Sequence, residues 1–195
     1  RRYDTPRHVV LKSLKILLDN DLIIQTPSRA WMFKPILDTT NAVADSIEFR
    51  LALEPAAILF DGFELERKRA DFFRKEAKIF LSPGGGAGSR TDFTRLDVEF
   101  HSLIAAGSGN RFLKETLTSH HRLRELPGRV DNVTEFRLCQ SMQEHLDILD
   151  QLETGQNQIA ADMMRIHLRM SNIQRPRAAN RGVPPLMSNR SLFSK

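Results

Sequence analysis

The residues best placed to do chemistry are one aspartate and three histidines. In LDVEFHSLIAAGSGNRFL (residues 96–113), Leu96, Phe100, Leu103 and Ile104 recur at helical spacing and mark an apolar stripe. Asp97 and His101 stand four residues apart on the edge of that stripe, one turn from each other. They read either as a first-turn carboxylate with a hydrogen-bonded histidine or as half of a metal site. Two further histidines sit in helical stripes. In LCQSMQEHLDILDQL the inward face holds Leu138, Met142, His145 or Leu146, and Leu149, and in QIAADMMRIHLRM it holds Ala160, Met163 or Met164, His167 and Met170. His145 and His167 are separated by 22 residues around a tight Thr154-Gly155 turn. At a rise of about 1.5 Å per residue, roughly eleven residues down one helix and eleven back bring them to one height. A carboxylate and three neutral imidazoles suit a divalent ion of hard-to-borderline character. Each histidine alone reads as a satisfied core residue, and the two independent spacings together favour the metal site. His120 and His121 lack such a pattern and read as surface or ligand-supporting residues.

The elements that must position these groups are mostly helical. Val10, Leu14, Leu17 and Leu18 give an amphipathic stripe, Leu22-Ile23-Ile24 and Trp31-Met32-Phe33 are short β-prone runs, and Thr26-Pro27-Ser28-Arg29 is a turn signal. Helix, strand, basic turn, strand is the back half of a winged helix-turn-helix. From Thr40 to Phe60 the pattern is helical with Val43, Ile47, Leu51, Ala52 and Ile58 inward, capped by Asp38 or Thr39, and Pro55 predicts a kink or break. Glu64 to Phe80 follows, with Leu65, Phe72 and Phe73 inward, then a flexible SPGGGAGS connector. Helices are expected over Thr91–Ala106, from the cap Asn110 to about Glu125 before Pro127-Gly128, over Val133–Glu153 and over Gln156–Ile173. The fold class is therefore all-α: a bundle of about six helices preceded by a partial winged helix-turn-helix. The expected division is 1–37 for the partial DNA-binding domain, 38–175 for the helical domain and 176–195 for a basic, mobile tail.

With 195 residues and 41% hydrophobic content the chain can bury a real core. The single Cys139 rules out an intrachain disulfide framework and, with no signal-peptide or membrane-span pattern, leads to an expected cytoplasmic location. The net charge of +5 is uneven: residues 1–37 hold seven Lys/Arg against three acids, and 171–195 hold five Lys/Arg and no acid. A basic end on a mildly acidic body fits nucleic-acid contact, with a solvated surface as the plainer explanation.

Three motifs, in order, carry a family resemblance. LDVEFHSLIAAGSGN resembles the D-x-x-x-H…S-G-N segment of the FadR C-terminal domain (FCD) branch of the GntR transcription regulators. RLALEPAAILF (50–60) is similar to its R-x-x-L-E-P-x-A-A stretch, and EHLDILDQLETGQNQIAADMMRIHL to its E-H…G…H-L ending. The resemblance covers residues 40–170 and extends more weakly to 6–33. It implies a ligand-sensing helical domain on a winged helix, in a homodimer that binds operator DNA through the full-length N-terminal domain and has no membrane partner. It also implies a divalent metal, zinc first with nickel or manganese as alternatives, held by Asp97, His101, His145 and His167. A small organic acid is the implied effector. One carboxylate and three neutral imidazoles leave a divalent ion with a net positive charge that a carboxylate ligand would neutralise. Arg50 is the second effector anchor the resemblance implies, with a salt bridge to Glu54 as the equal alternative, and Arg124 is a further candidate with a surface position as its alternative.

Arg7, His8, Lys12 and Arg29 are the expected DNA contacts. Departures from the family pattern bear on them: Leu11 replaces a second arginine of the recognition segment, and Ala30 replaces the wing glycine. The first helices of the motif are missing before Arg1, so this chain is expected to bind DNA poorly, with a missing N-terminus the favoured explanation. The resulting function is a metabolite-responsive DNA-binding transcription regulator rather than an enzyme. The alternative is a metal-dependent hydrolase using the Asp/His3 site, for which Glu99 and Glu144 are the nearest acids, each turned about 100° from a ligand. A purely structural metal, with Met163 and Met164 filling the pocket, is the third reading.

Overall fold

The computed structural model describes residues 5–20, 22–33, 40–82, 89–125 and 133–173. The elements run α1 (Arg7–Asp19), β1 (Ile23–Gln25), β2 (Trp31–Phe33), α2 (Thr40–Ile58), α3 (Arg67–Leu81), α4 (Arg90–Gly107), α5 (Arg111–Glu125), α6 (Glu135–Glu153) and α7 (Asn157–Ile173). Six helices, α2–α7, form the bundle, and α1 with a two-stranded hairpin precedes it. The expected caps at Asp38 and Thr39, the glycine-rich 83–88, Pro127-Gly128 and the tail 176–195 lie outside the described residues.

Helix starts follow from capping chemistry. Ser89 accepts a hydrogen bond from the Asp92 amide, Thr134 from the Arg137 amide, and Asn110 Oδ1 from the Phe112 and Leu113 amides. The α6–α7 connection is a tight turn in which Gly155 takes φ 75°, a backbone conformation that suits a residue without a Cβ. That turn makes α6 and α7 antiparallel neighbours. Around them α2 packs on α7, α4 and α5, and α3 packs on α4 and α6.

The core is built from i, i+3/i+4 stripes. On α3 the buried face is Ala70, Phe73, Ala77 and Phe80, while Phe72 is exposed, a correction to its expected inward position. The stripe through Ala70 and Ala77 wins because those small residues let α3 approach its neighbours closely. On α2 the inward stripe is Val43, Ile47, Arg50, Glu54 and Ala57, so two charged side chains occupy core positions, and Ala52 faces solvent. The helix continues through Pro55 to Ile58, so the expected break is not realised. Pro55 lies in the last turn, where few hydrogen bonds remain to be lost.

The hairpin pairs Ile23 with Phe33, Ile24 with Met32 and Gln25 with Trp31. Its loop is closed by Thr26 N–H to Ala30 O at 2.8 Å and Arg29 N–H to Thr26 O at 2.8 Å. Arg29 adopts φ 60°, the left-handed region that non-glycine residues rarely take. In α1 the predicted stripe forms a helix but no residue of it is buried among the described residues. Two three-residue strands offer too little surface to cover it.

Phe73 is fully buried between α3, Phe100 and His145. Truncating it to alanine should cost about 3–5 kcal/mol of stability, measured by urea unfolding, because a cavity remains between helices that pack on both sides.

Candidate metal centre

Asp97 and His101 on α4, His145 on α6 and His167 on α7 are all buried, and each offers one ligand atom such that the four atoms lie within 4.8 Å of one another. Antiparallel pairing of α6 and α7 brings His145 and His167 level, with their Nε2 atoms 3.1 Å apart. Asp97 Oδ1 is 3.6 Å from both His101 Nε2 and His145 Nε2. Around an ion with bonds of about 2.0–2.1 Å, tetrahedral neighbours stand about 3.4 Å apart, which these spacings match.

Two of the imidazoles are oriented by carboxylates. His167 Nδ1 is 2.7 Å from Glu144 Oε2, and His101 Nδ1 is 2.6 Å from Glu54 Oε2. At His167 the carboxylate hydrogen-bonds the proton-bearing Nδ1, which turns the Nε2 lone pair toward the shared space, while Glu54 faces His101 Nδ1 as a close charge contact off hydrogen-bond alignment. His101 Nε2 has no hydrogen-bond partner among the described residues despite full burial. The Nε2 atoms of His145 and His167 face each other at 3.1 Å, and two lone pairs so close need a proton or a cation between them. The donor set therefore fits a divalent metal. His145 is fixed differently: its ring stacks on Phe100 with centroids 4.1 Å apart and planes 19° off parallel, so the hydrophobic core forms one wall of the site.

Electrostatics keep the ligands ready. Burial pushes the His145 imidazole well below its usual range, helped by His167 and His101 nearby. Burial likewise lowers His167 to about 4, against the opposing pull of Glu144. Both rings are neutral near pH 7, the form that binds metal. Burial opposes the charge on Glu144, but hydrogen bonds from His167 and Arg137 outweigh it and hold the carboxyl below its ordinary value.

Behind the candidate ligands stand residues whose full set of partners the sequence patterning did not give. Glu54 is fully buried, with Oε1 2.6 Å from Arg50 Nε and 3.1 Å from His121 Nε2. Burial disfavours its charge, yet Arg50 and His101 hold the carboxyl well below the usual range. Arg50 is itself 2% exposed, makes the predicted salt bridge, and leaves Nη2 without a partner among the described residues. His121 is buried, the ligand-supporting one of its two expected placements, whereas His120 bonds Ser46 Oγ at 2.8 Å. Glu144 is not merely turned away from His145: it serves His167 across the helix pair and is gripped by Arg137 Nη1 at 2.7 Å and Nη2 at 2.9 Å. Glu99 faces Arg69 instead. A charged residue at a core-facing helical position, as at 50 and 54, was the signal available in the sequence.

Of the other predicted site residues, Arg7, His8 and Lys12 are exposed on α1 and Arg29 is exposed at the hairpin tip. The Arg124 side chain lies outside the described part of α5. No described helix is long and apolar enough to cross a membrane.

The buried histidines make stability depend on pH. His121 falls to about 4, through burial first, and His167 does the same. Their folded values lie below the unfolded one of about 6.5, so the unfolded chain binds more protons between those limits and stability falls as pH falls. Metal-free protein should lose about 2 kcal/mol per histidine between pH 7 and 5, read as a lower melting temperature. An unchanged melting temperature across that interval would contradict the neutral burial of these rings.

A profile of the FCD domain matches residues 64–170. No curated protein matches the chain significantly. Among solved structures, the fold is shared with Lar, described as controlling expression of the Listeria monocytogenes agr system and mediating virulence. That likeness has TM-score 0.75 and 12% identity, over 92% of this chain and 84% of Lar. A GntR-type transcriptional regulator from Rhodococcus sp. RHA1 superposes with TM-score 0.64 and 19% identity, over 88% of this chain and 80% of its own. Streptococcus agalactiae GntR gives TM-score 0.56 and 20% identity, over 88% and 83% of the two chains. With its α3–α7 bundle matched over more than half the sequence, the chain belongs to the FCD domain family.

Proposed function

We propose that this protein is a metabolite-responsive, DNA-binding transcription regulator whose helical domain binds one divalent metal and a small carboxylate effector. The single observation that carries the reading is the buried set Asp97, His101, His145 and His167, with two of its imidazoles backed by carboxylates, inside an FCD-type bundle. The ion would be zinc, with nickel or manganese as the other borderline candidates. When bound it supplies a positive charge that draws an organic acid into the bundle. Arg50 supplies the second contact through the Nη2 atom that Glu54 leaves unused.

In this reading the chain divides at residues 37 and 175. Operator contact falls to Arg7, His8 and Lys12 on α1 and Arg29 on the hairpin, in a homodimer whose two halves would meet two half-sites. Effector binding acts by favouring one arrangement of those halves over another. A hydrolase is disfavoured by the same geometry: the two carboxylates nearest the ligands are each committed, Glu54 to Arg50 and two histidines and Glu144 to Arg137 and His167. Neither is left to act as a general base on a bound water.

Mass spectrometry of the purified protein should find about one divalent ion per chain, and His145→Ala should lower that content at least tenfold. Small carboxylates should then raise the melting temperature of the metal-loaded wild type. Wild-type protein that carries no ion and gains no stability from added zinc, nickel or manganese would remove the metal from this reading.

A further inference from the structure

Glu54 sits where the two halves of the site meet. It lies on α2 with no solvent exposure, yet it touches residues of α2, α4 and α5. One oxygen is 2.6 Å from Arg50 Nε and 3.1 Å from His121 Nε2, and the other is 2.6 Å from His101 Nδ1. On each side of it stands a buried nitrogen with no hydrogen-bond partner among the described residues: Nη2 of Arg50 and Nε2 of His101. The first is an anion donor and the second a metal ligand.

We propose that Glu54 is a positioning residue that couples anion binding at Arg50 to metal binding at His101. The proposal rests on the metal-and-carboxylate reading above and adds the regulation of that site. Its physical basis has three parts. By standing 2.6 Å from His101 Nδ1, off hydrogen-bond alignment, the carboxylate draws the ring's proton to that nitrogen electrostatically, which leaves Nε2 as a lone pair and raises its basicity. By accepting from Arg50 Nε, it turns the remaining edge of the guanidinium toward a second acceptor, the geometry in which arginine grips a carboxylate. By accepting from His121, whose Nδ1 is 3.5 Å from Ser102 Oγ, it is held from a third helix and cannot rotate toward one partner without leaving another.

A purely structural carboxylate would neutralise Arg50 and do nothing else. It would affect stability while leaving the metal and anion equilibria independent. A coupling residue makes the two binding steps reciprocal, since each ligand must then change the other's affinity by the same factor.

The test uses Co²⁺ as the metal probe and malonate as the anion probe, on the full chain. In the wild type, malonate should tighten Co²⁺ binding by a factor within about 5–150, with Co²⁺ tightening malonate equally. The visible absorption of bound Co²⁺ should change when malonate joins it. Glu54→Gln should weaken Co²⁺ by about 10–100-fold and bring the malonate factor close to one. Should that variant fail to fold, Glu54→Asp keeps the charge opposite Arg50 but retracts the oxygens from His101, and the same losses are expected. Variants with wild-type Co²⁺ affinity, spectrum and malonate factor would overturn the coupling role while leaving the metal site standing. Weaker Co²⁺ with an unchanged malonate factor would also overturn it, reducing Glu54 to a support for His101. A wild type that takes up no Co²⁺ removes the metal reading and the coupling together.

Discussion

A fully buried carboxylate is among the most costly groups a helical bundle can contain, and Glu54 shows what its burial demands. An isolated charge in the interior would take up a proton or unfold its surroundings. Here Arg50 supplies the opposite charge from one turn earlier, and His101 and His121 supply contacts from α4 and α5. Three helices must therefore arrive in register for one side chain to be tolerated. Removing any partner would leave a buried group unpaired, so the same requirement that specifies the packing also fixes the rings that face the candidate metal space.

The arrangement occurs twice. Arg50, Glu54 and His101 form one relay from α2 to α4, and Arg137, Glu144 and His167 form another from α6 to α7. In each, an arginine precedes a glutamate on the same helix, and the glutamate reaches an imidazole on a neighbouring helix. The two differ in exposure, since Glu54 is wholly buried while Glu144 keeps partial contact with solvent. His145 belongs to neither relay and is held by stacking on Phe100, so the apolar core and the polar network share one ring. Side chains held this rigidly lose little freedom on binding an ion.

Much of this was legible beforehand where periodicity carried it. Asp97 and His101 at one-turn spacing, and His145 and His167 symmetrically placed about a glycine turn, were enough to predict four converging side chains. The helices followed from the same stripes, with ends set by Ser89, Asn110 and Thr134. Patterning failed where a charged residue faces inward. Read as apolar periodicity, α2 turns Leu51 and Ala52 to the core; in the folded helix Leu51 does pack against it, Ala52 faces solvent, and Arg50 and Glu54 are buried there. It failed again at Phe72 and Phe73, two adjacent aromatics of which only one can point inward.

By itself the sequence determined the helical architecture, the tight α6–α7 turn and the identity of the four candidate ligands, because these depend on spacing along single helices or across one short connection. Only the tertiary structure decided which carboxylate serves which imidazole, that His121 is buried against Glu54, and that Arg50 both pairs with Glu54 and keeps a donor to spare. Those choices depend on the relative rotation and height of helices far apart in the chain. The contact between positions 54 and 121 spans 67 residues, and no local periodicity encodes it.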